Sequence, residues 1–129
     1  MGAEMSEVIV ITPSQRVVSA VDATSGMVRE TVADVPGLWV GYVRTEPAKP
    51  SGWHHHGTHE TYFFVESGSI RMEFGPGGDQ SVEARPGDFV HVPPGLIHRE
   101  VNSSSQPGTL ILFRVGEGDV VVNVEGPEA

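Results

Sequence analysis

Histidine carries the chemistry open to this sequence. His54, His55, His56 and His59 fall within six residues in mid-chain, between Trp53 and a run of strand-forming residues. A tag scar would sit at a terminus, so this cluster belongs to the protein. His54 and His56 are two apart, and on an extended strand both rings point to one face. Two imidazoles on one face are half of a transition-metal site. The chain has no cysteine, which removes disulfides, thiolate zinc sites and Cys nucleophiles together. Any further ligand must be another histidine or a carboxylate.

Strands must position these side chains. Sixteen Gly and ten Pro in 129 residues punctuate the chain too often for long helices. Short strands between frequent turn signals predict an all-β sandwich or barrel. Strands are expected at Val8–Ile11, Val17–Val21, Met27–Val32 and Leu38–Arg44, and the loop from Glu46 to Gly52 then delivers the histidines. Thr61–Glu66 is the strongest strand, and Ser69–Phe74 alternates strictly, as a half-buried strand does. Ser81–Ala84, Phe89–Val92, His98–Val101, Thr109–Val115 and Val120–Val124 complete the set. Pro93-Pro94-Gly95 fixes a bend that turns His98 back toward the interior.

The totals exclude several classes of function. Seventeen acidic against eight basic residues give a formal charge of −9, and without a basic run nucleic acid is not an expected partner. The first residues lack a charged-then-apolar signal pattern, and no apolar run approaches the ~20 residues of a membrane span. A soluble, cytoplasmic, membrane-free protein of one domain is expected.

Gly87-x5-Pro93-x-Gly95-x2-His98-x3-Asn102 resembles, position for position, the second signature motif of the cupin superfamily. The first motif reads Gly-x5-His-x-His-x3,4-Glu-x6-Gly. His54 and His56 supply its histidine pair and Gly68 its last glycine, while Ala48 stands where it opens on glycine. The resemblance covers about Leu38 to Val115 and implies a double-stranded β-helix, or jelly-roll barrel. Residues 1–129 would form one domain, with N-terminal strands before the barrel and a short polar tail after it.

The family's glutamate position is ambiguous here. Counting back from Gly68 puts Thr61 there; counting forward from His56 with the shorter spacer puts Glu60 there. Alternation places His59, Thr61, Phe63 and Val65 on one strand face and Glu60, Tyr62, Phe64 and Glu66 on the other. The face with two carboxylates is the costlier to bury, so a regular strand points His59 inward and Glu60 outward. A bulge would reverse this. The resemblance then implies a ligand set of His54, His56, His59 and His98, with Glu60 as the alternative to His59. His55 should face solvent and His91 should be a core histidine or support a ligand. Trp39, Trp53, Phe63 and Phe89 should be core, some lining the cavity, and Asp79 and Asp88 should be turn residues.

Fold alone does not give function. Four neutral imidazoles leave the charge of one divalent ion uncompensated, which favours zinc acting as a Lewis acid on a carbonyl. The pattern is similar to that of cupin-type polyketide cyclases of aromatic polyketide pathways, which close rings by aldol chemistry and dehydration. Two Trp, two Tyr and five Phe could line an apolar cavity for such a small-molecule substrate. With Glu60 as ligand, iron, manganese or nickel and a dioxygenase of the quercetinase or thiol type become the reading. A non-enzymatic metal- or small-molecule-binding cupin is the third. Small cupins usually pair, so a homodimer is expected, with Val8–Ile11 available for edge exchange.

Overall fold

Among the described residues Gly and Pro leave eleven short strands: β1 Val17–Val18, β2 Met27–Val35, β3 Leu38–Thr45, β4 His54–His55, β5 Glu60–Ser67, β6 Ile70–Phe74, β7 Gln80–Ala84, β8 Phe89–Val92, β9 His98–Asn102, β10 Gly108–Val115 and β11 Val122–Asn123. They are seen in a computed structural model that describes residues 7–18 and 24–128. A six-stranded sheet has the order β1-β2-β3-β10-β5-β8, and a five-stranded sheet the order β11-β4-β9-β6-β7. Every pairing between them is antiparallel. One domain of two sheets whose named strands pair antiparallel is the double-stranded β-helix expected from the motifs.

Alternation decides what each strand buries. On β5, Thr61, Phe63 and Val65 are buried, while Glu60, Tyr62 and Glu66 are exposed. No bulge disturbs its pairing with β8, where Thr61 to Phe64 oppose Val92 to Phe89 in regular register. Phe63 and Val65 join Trp39, Val43, Ile70, Met72, Leu110 and Leu112 in one core between the sheets. Each large apolar side chain buried there contributes about 1.5–3 kcal/mol. Trp39 lies across Gly41: a Cβ on that glycine would fall 1.9 Å from the indole ring.

The turn residues of the motifs are conformational requirements. Gly68 and Gly87 both adopt positive φ, +76° and +97°. Ala48, where the first motif has glycine, is the one non-glycine residue with positive φ among those described, at 55°. Its N–H donates to the Asn102 carbonyl at 2.7 Å, which holds the strained conformation. Asn102, the last residue of the second motif, is itself structural. It accepts from Ser104 N and Oγ at 3.0 and 2.7 Å and donates to the Gln106 carbonyl at 2.7 Å, closing the 102–108 loop.

Several strand expectations are corrected. Val8–Ile11 forms no strand and stays exposed, because no described strand lies beside it to complete a ladder. Of Val17–Val21, β1 contains Val17 and Val18, and residues 19–21 fall outside those described. Val120–Val124 shortens to β11, which has only two-residue β4 to pair with. Phe89 is 71% exposed instead of core, since β8 turns Val90 and Val92 inward and leaves Phe89 against Phe64 outside. Among the described residues no helix is long and apolar enough to cross a membrane.

Candidate metal centre

The centre is assembled by strand pairing within the five-stranded sheet. His54 on β4 stands directly opposite His98 on β9, and their ring centroids are 4.4 Å apart. His56 lies just past the end of β4, with its centroid 5.2 Å from His54 and 5.0 Å from His98. One ligand nitrogen from each of the three lies within 4.8 Å of the other two. All three rings are almost fully buried.

Backbone carbonyls fix the ring orientations. Nδ1 of His54 lies 2.8 Å from Gly52 O, that of His56 2.9 Å from Val120 O, and that of His98 2.9 Å from Leu96 O. A neutral ring bonded this way carries its proton on Nδ1 and presents a bare lone pair at Nε2, the form a metal takes. Arg114 Nε also stands 3.1 Å from His56 Nδ1. Arg114 Nε–H donates to that nitrogen, so a carbonyl acceptor alone stands beside Nδ1 of His54 and His98, while His56 Nδ1 lies between an acceptor and a donor. Nε2 of His54 and of His98 are buried without a hydrogen-bond partner. Buried polar atoms left this way cost about 1–3 kcal/mol each, which marks a site built for something that satisfies them.

A carboxylate faces the same nitrogens. Glu100, two residues beyond His98 on β9, is buried, with Oε2 3.4 Å from His54 Nε2 and Oε1 3.3 Å from His98 Nε2. Ser51 Oγ lies 3.0 Å from Glu100 Oε2 and also accepts from the Glu100 N–H at 3.0 Å. Burial works to raise the Glu100 carboxyl, but the facing His54 and His98 outweigh it and hold it well below the usual carboxylate range. His54 is lowered from the ordinary 6.5 mainly by burial, against the pull of Glu100, and His56 is lowered mainly by burial and then by Arg114. Three inward histidine rings and a buried carboxylate bring together the nitrogen and oxygen donors that a divalent ion takes.

The remaining candidates fall elsewhere. His59 is buried, as strand alternation predicts, but it is not among the three histidines brought together. The chain turns between His56 and His59, with Gly57 at φ +57° and His59 N–H bonded to His56 O at 3.0 Å, and passes from one sheet to the other. The His59 ring then packs by Gly116, with Nδ1 3.0 Å from His56 O. Glu60 points outward and bonds His91 Nε2 at 2.7 Å. His91 is therefore not a core residue: it stacks on Tyr62 and is 44% exposed. Thr61, at the family's alternative glutamate position, is buried with its hydroxyl unpartnered. His55 turns away from the triad and accepts the Gly57 N–H. Asp88 caps its turn by accepting from Arg85 N.

Sequence reasoning missed Glu100. Its signal was present: a residue two after His98 on a strand shares that histidine's face. Beside the triad lies a cavity of about 290 Å³, lined by Met72, Phe74, Val82, Val90, Val92 and Leu96, with His98 in its wall.

A family model described as the Cupin domain matches residues 41–114, more than half of the chain. No curated protein matches by sequence. Among solved structures, a conserved protein with a double-stranded β-helix domain from Klebsiella pneumoniae superposes with a TM-score of 0.71 at 18% identity, covering 92% of this chain and 99% of that one. The polyketide cyclase RemF from Streptomyces resistomycificus gives 0.72 at 18% identity, covering 92% and 86%. Oxalate decarboxylase from Bacillus subtilis gives 0.67 at 20% identity, covering 80% of this chain and 29% of that one. At such identities the likeness establishes the fold.

Proposed function

This chain belongs to the cupin family, and we propose that it is a metal-dependent enzyme that activates a carbonyl-rich small molecule, closing rings as a polyketide cyclase does. One observation carries the reading: three buried imidazoles turn unpartnered or inward-facing nitrogens together at an apolar cavity whose wall includes one of them. A divalent ion there, zinc by preference, would supply Lewis acidity to a carbonyl oxygen. His54, His56 and His98 would hold it, His54 and His98 each aimed by the carbonyl beside Nδ1. Met72, Phe74, Val90 and Leu96 would exclude water and favour a folded, apolar ketone chain over an extended, hydrated one. RemF, of similar fold, is a polyketide cyclase, and this supports the same reaction class here.

A second reading has its own observation. A carboxylate does face two rings of the triad, His54 and His98, from Glu100 in place of Glu60, and a site with three histidines and one carboxylate suits iron or manganese in oxygen chemistry. Protein loaded with zinc, and separately with manganese or iron, should be given aryl poly-β-ketones in an oxygen electrode. Ring-closed, dehydrated product without oxygen uptake is the expected result. Oxygen consumption with β-diketones or polyphenols would replace the cyclase reading by the dioxygenase one. No turnover by any loaded form would leave a binding protein.

A further inference from the structure

We propose that Glu100 is the fourth protein donor to the ion held by His54, His56 and His98, and that Ser51 aims it. The inference rests on the metal-centre reading above and moves the site's carboxylate from β5, where the family motif puts it, to β9. Four observations converge. The Glu100 side chain is 4% exposed, so its carboxylate is not a surface group that happens to lie nearby. Each of its oxygens faces a different ring nitrogen, Oε2 toward His54 Nε2 and Oε1 toward His98 Nε2. Those two nitrogens are the ones buried without a hydrogen-bond partner. The separations, 3.4 and 3.3 Å, are long for an N–H···O bond, which runs about 2.7–3.2 Å. They suit two donors on one ion: with bonds of about 2.0–2.2 Å and angles between octahedral and tetrahedral, neighbouring donors lie about 2.8–3.6 Å apart.

The rest of the structure supports that placement. In strand register Glu100 opposes Met72, as His98 opposes Phe74, so both side chains enter the same inward face of β9. Ser51 is tied to Glu100 twice through the backbone, its N–H donating to Glu100 O at 2.8 Å and its Oγ accepting from Glu100 N at 3.0 Å. Its hydroxyl proton can then go to Oε2, at 3.0 Å, leaving the remaining lone pairs of the carboxylate for the ion. At the motif position on β5, Thr61 has no carboxylate to offer, and the neighbouring Glu60 is engaged with His91 outside the barrel. A single negative ligand reduces the charge of a divalent centre by one without closing it, as in zinc sites with two histidines and a glutamate that keep an open position.

Cobalt(II) and zinc(II) titrations of metal-free protein test this directly. Wild type should take up one ion per chain with a defined cobalt visible spectrum. Glu100→Gln should bind about 100-fold more weakly or worse with an altered spectrum, since even supporting groups around a ligand are worth 10–100-fold. Ser51→Ala should bind roughly tenfold more weakly with the wild-type spectrum. Should Glu100→Gln not fold, Glu100→Asp, which draws the carboxylate back by one methylene, should weaken binding and shift the spectrum. A folded Glu100 variant that binds within about threefold of wild type with the same spectrum overturns the assignment. Wild type that takes up no ion overturns the metal-centre reading itself, and this one with it.

Discussion

Replacing His54 by leucine should stabilise the metal-free protein, an unusual outcome for a fully buried polar residue in a motif. Its Nε2 is buried without a hydrogen bond, an expense of about 1–3 kcal/mol that leucine removes. The substitution forfeits the Nδ1 bond to Gly52 O, worth about 1 kcal/mol. Leucine and histidine are close in volume, so repacking costs are small. The balance is a gain of about 1 kcal/mol, or roughly 3–5 °C in Tm for a chain of this size. Urea unfolding at pH 8 with chelator measures it. The stabilisation that added ion confers on wild type, about 2.7 kcal/mol at a hundredfold excess over Kd, should vanish in the variant. A structural ion pair between His54 and Glu100 predicts the opposite, a loss of about 3–5 kcal/mol on removing one partner. A loss of that size would refute the neutral, metal-ready form of His54.

Three other outcomes follow from the same structure. Ala48→Gly relieves a left-handed conformation costing about 1–2 kcal/mol and adds about 0.5–1 kcal/mol of chain entropy, so the urea midpoint should rise modestly, by up to about 1 kcal/mol of stability. Gly41→Ala drives a methyl into the Trp39 indole and should cost about 1–3 kcal/mol, with a changed near-ultraviolet dichroism spectrum. His54 and His56 are lowered below 6.5 in the fold, so the unfolded chain binds more protons just below that pH. Stability of the metal-free protein should therefore fall as pH drops from about 6.5 and be fully present above it, measured by urea midpoints from pH 8 to 5.

Much of this was legible in the sequence, for identifiable reasons. Period-two alternation on β5 placed Phe63 and Val65 inward and Glu60 outward, because a two-sheet barrel buries one face of each strand. The spacing from Gly87 to Asn102 located His98, since its glycines and prolines set turns that only certain residues make. Alternation failed where it was carried across the turn at Gly57, where the chain changes sheets, and so it said His59 faces inward without saying toward what. Val8–Ile11 reads as a strand by composition, but a strand needs a neighbour, and pairing is not written in the segment itself. Glu100 was invisible to motif counting because its partners, His54 and Ser51, reach it only through the pairing of β4 and β9 and the bridge at the end of the preceding loop.

Metal content of protein purified without added metal, by elemental mass spectrometry, tests the centre most directly. A metal centre built on the triad predicts close to one divalent ion per chain, removed by chelator and restored on titration, and none retained by His56→Ala or His54→Leu. Glu60→Gln, whose parent side chain is bonded to His91 outside the barrel, should keep the full ion. Wild type that holds no ion and takes none up, or triad variants that hold as much as wild type, would contradict it.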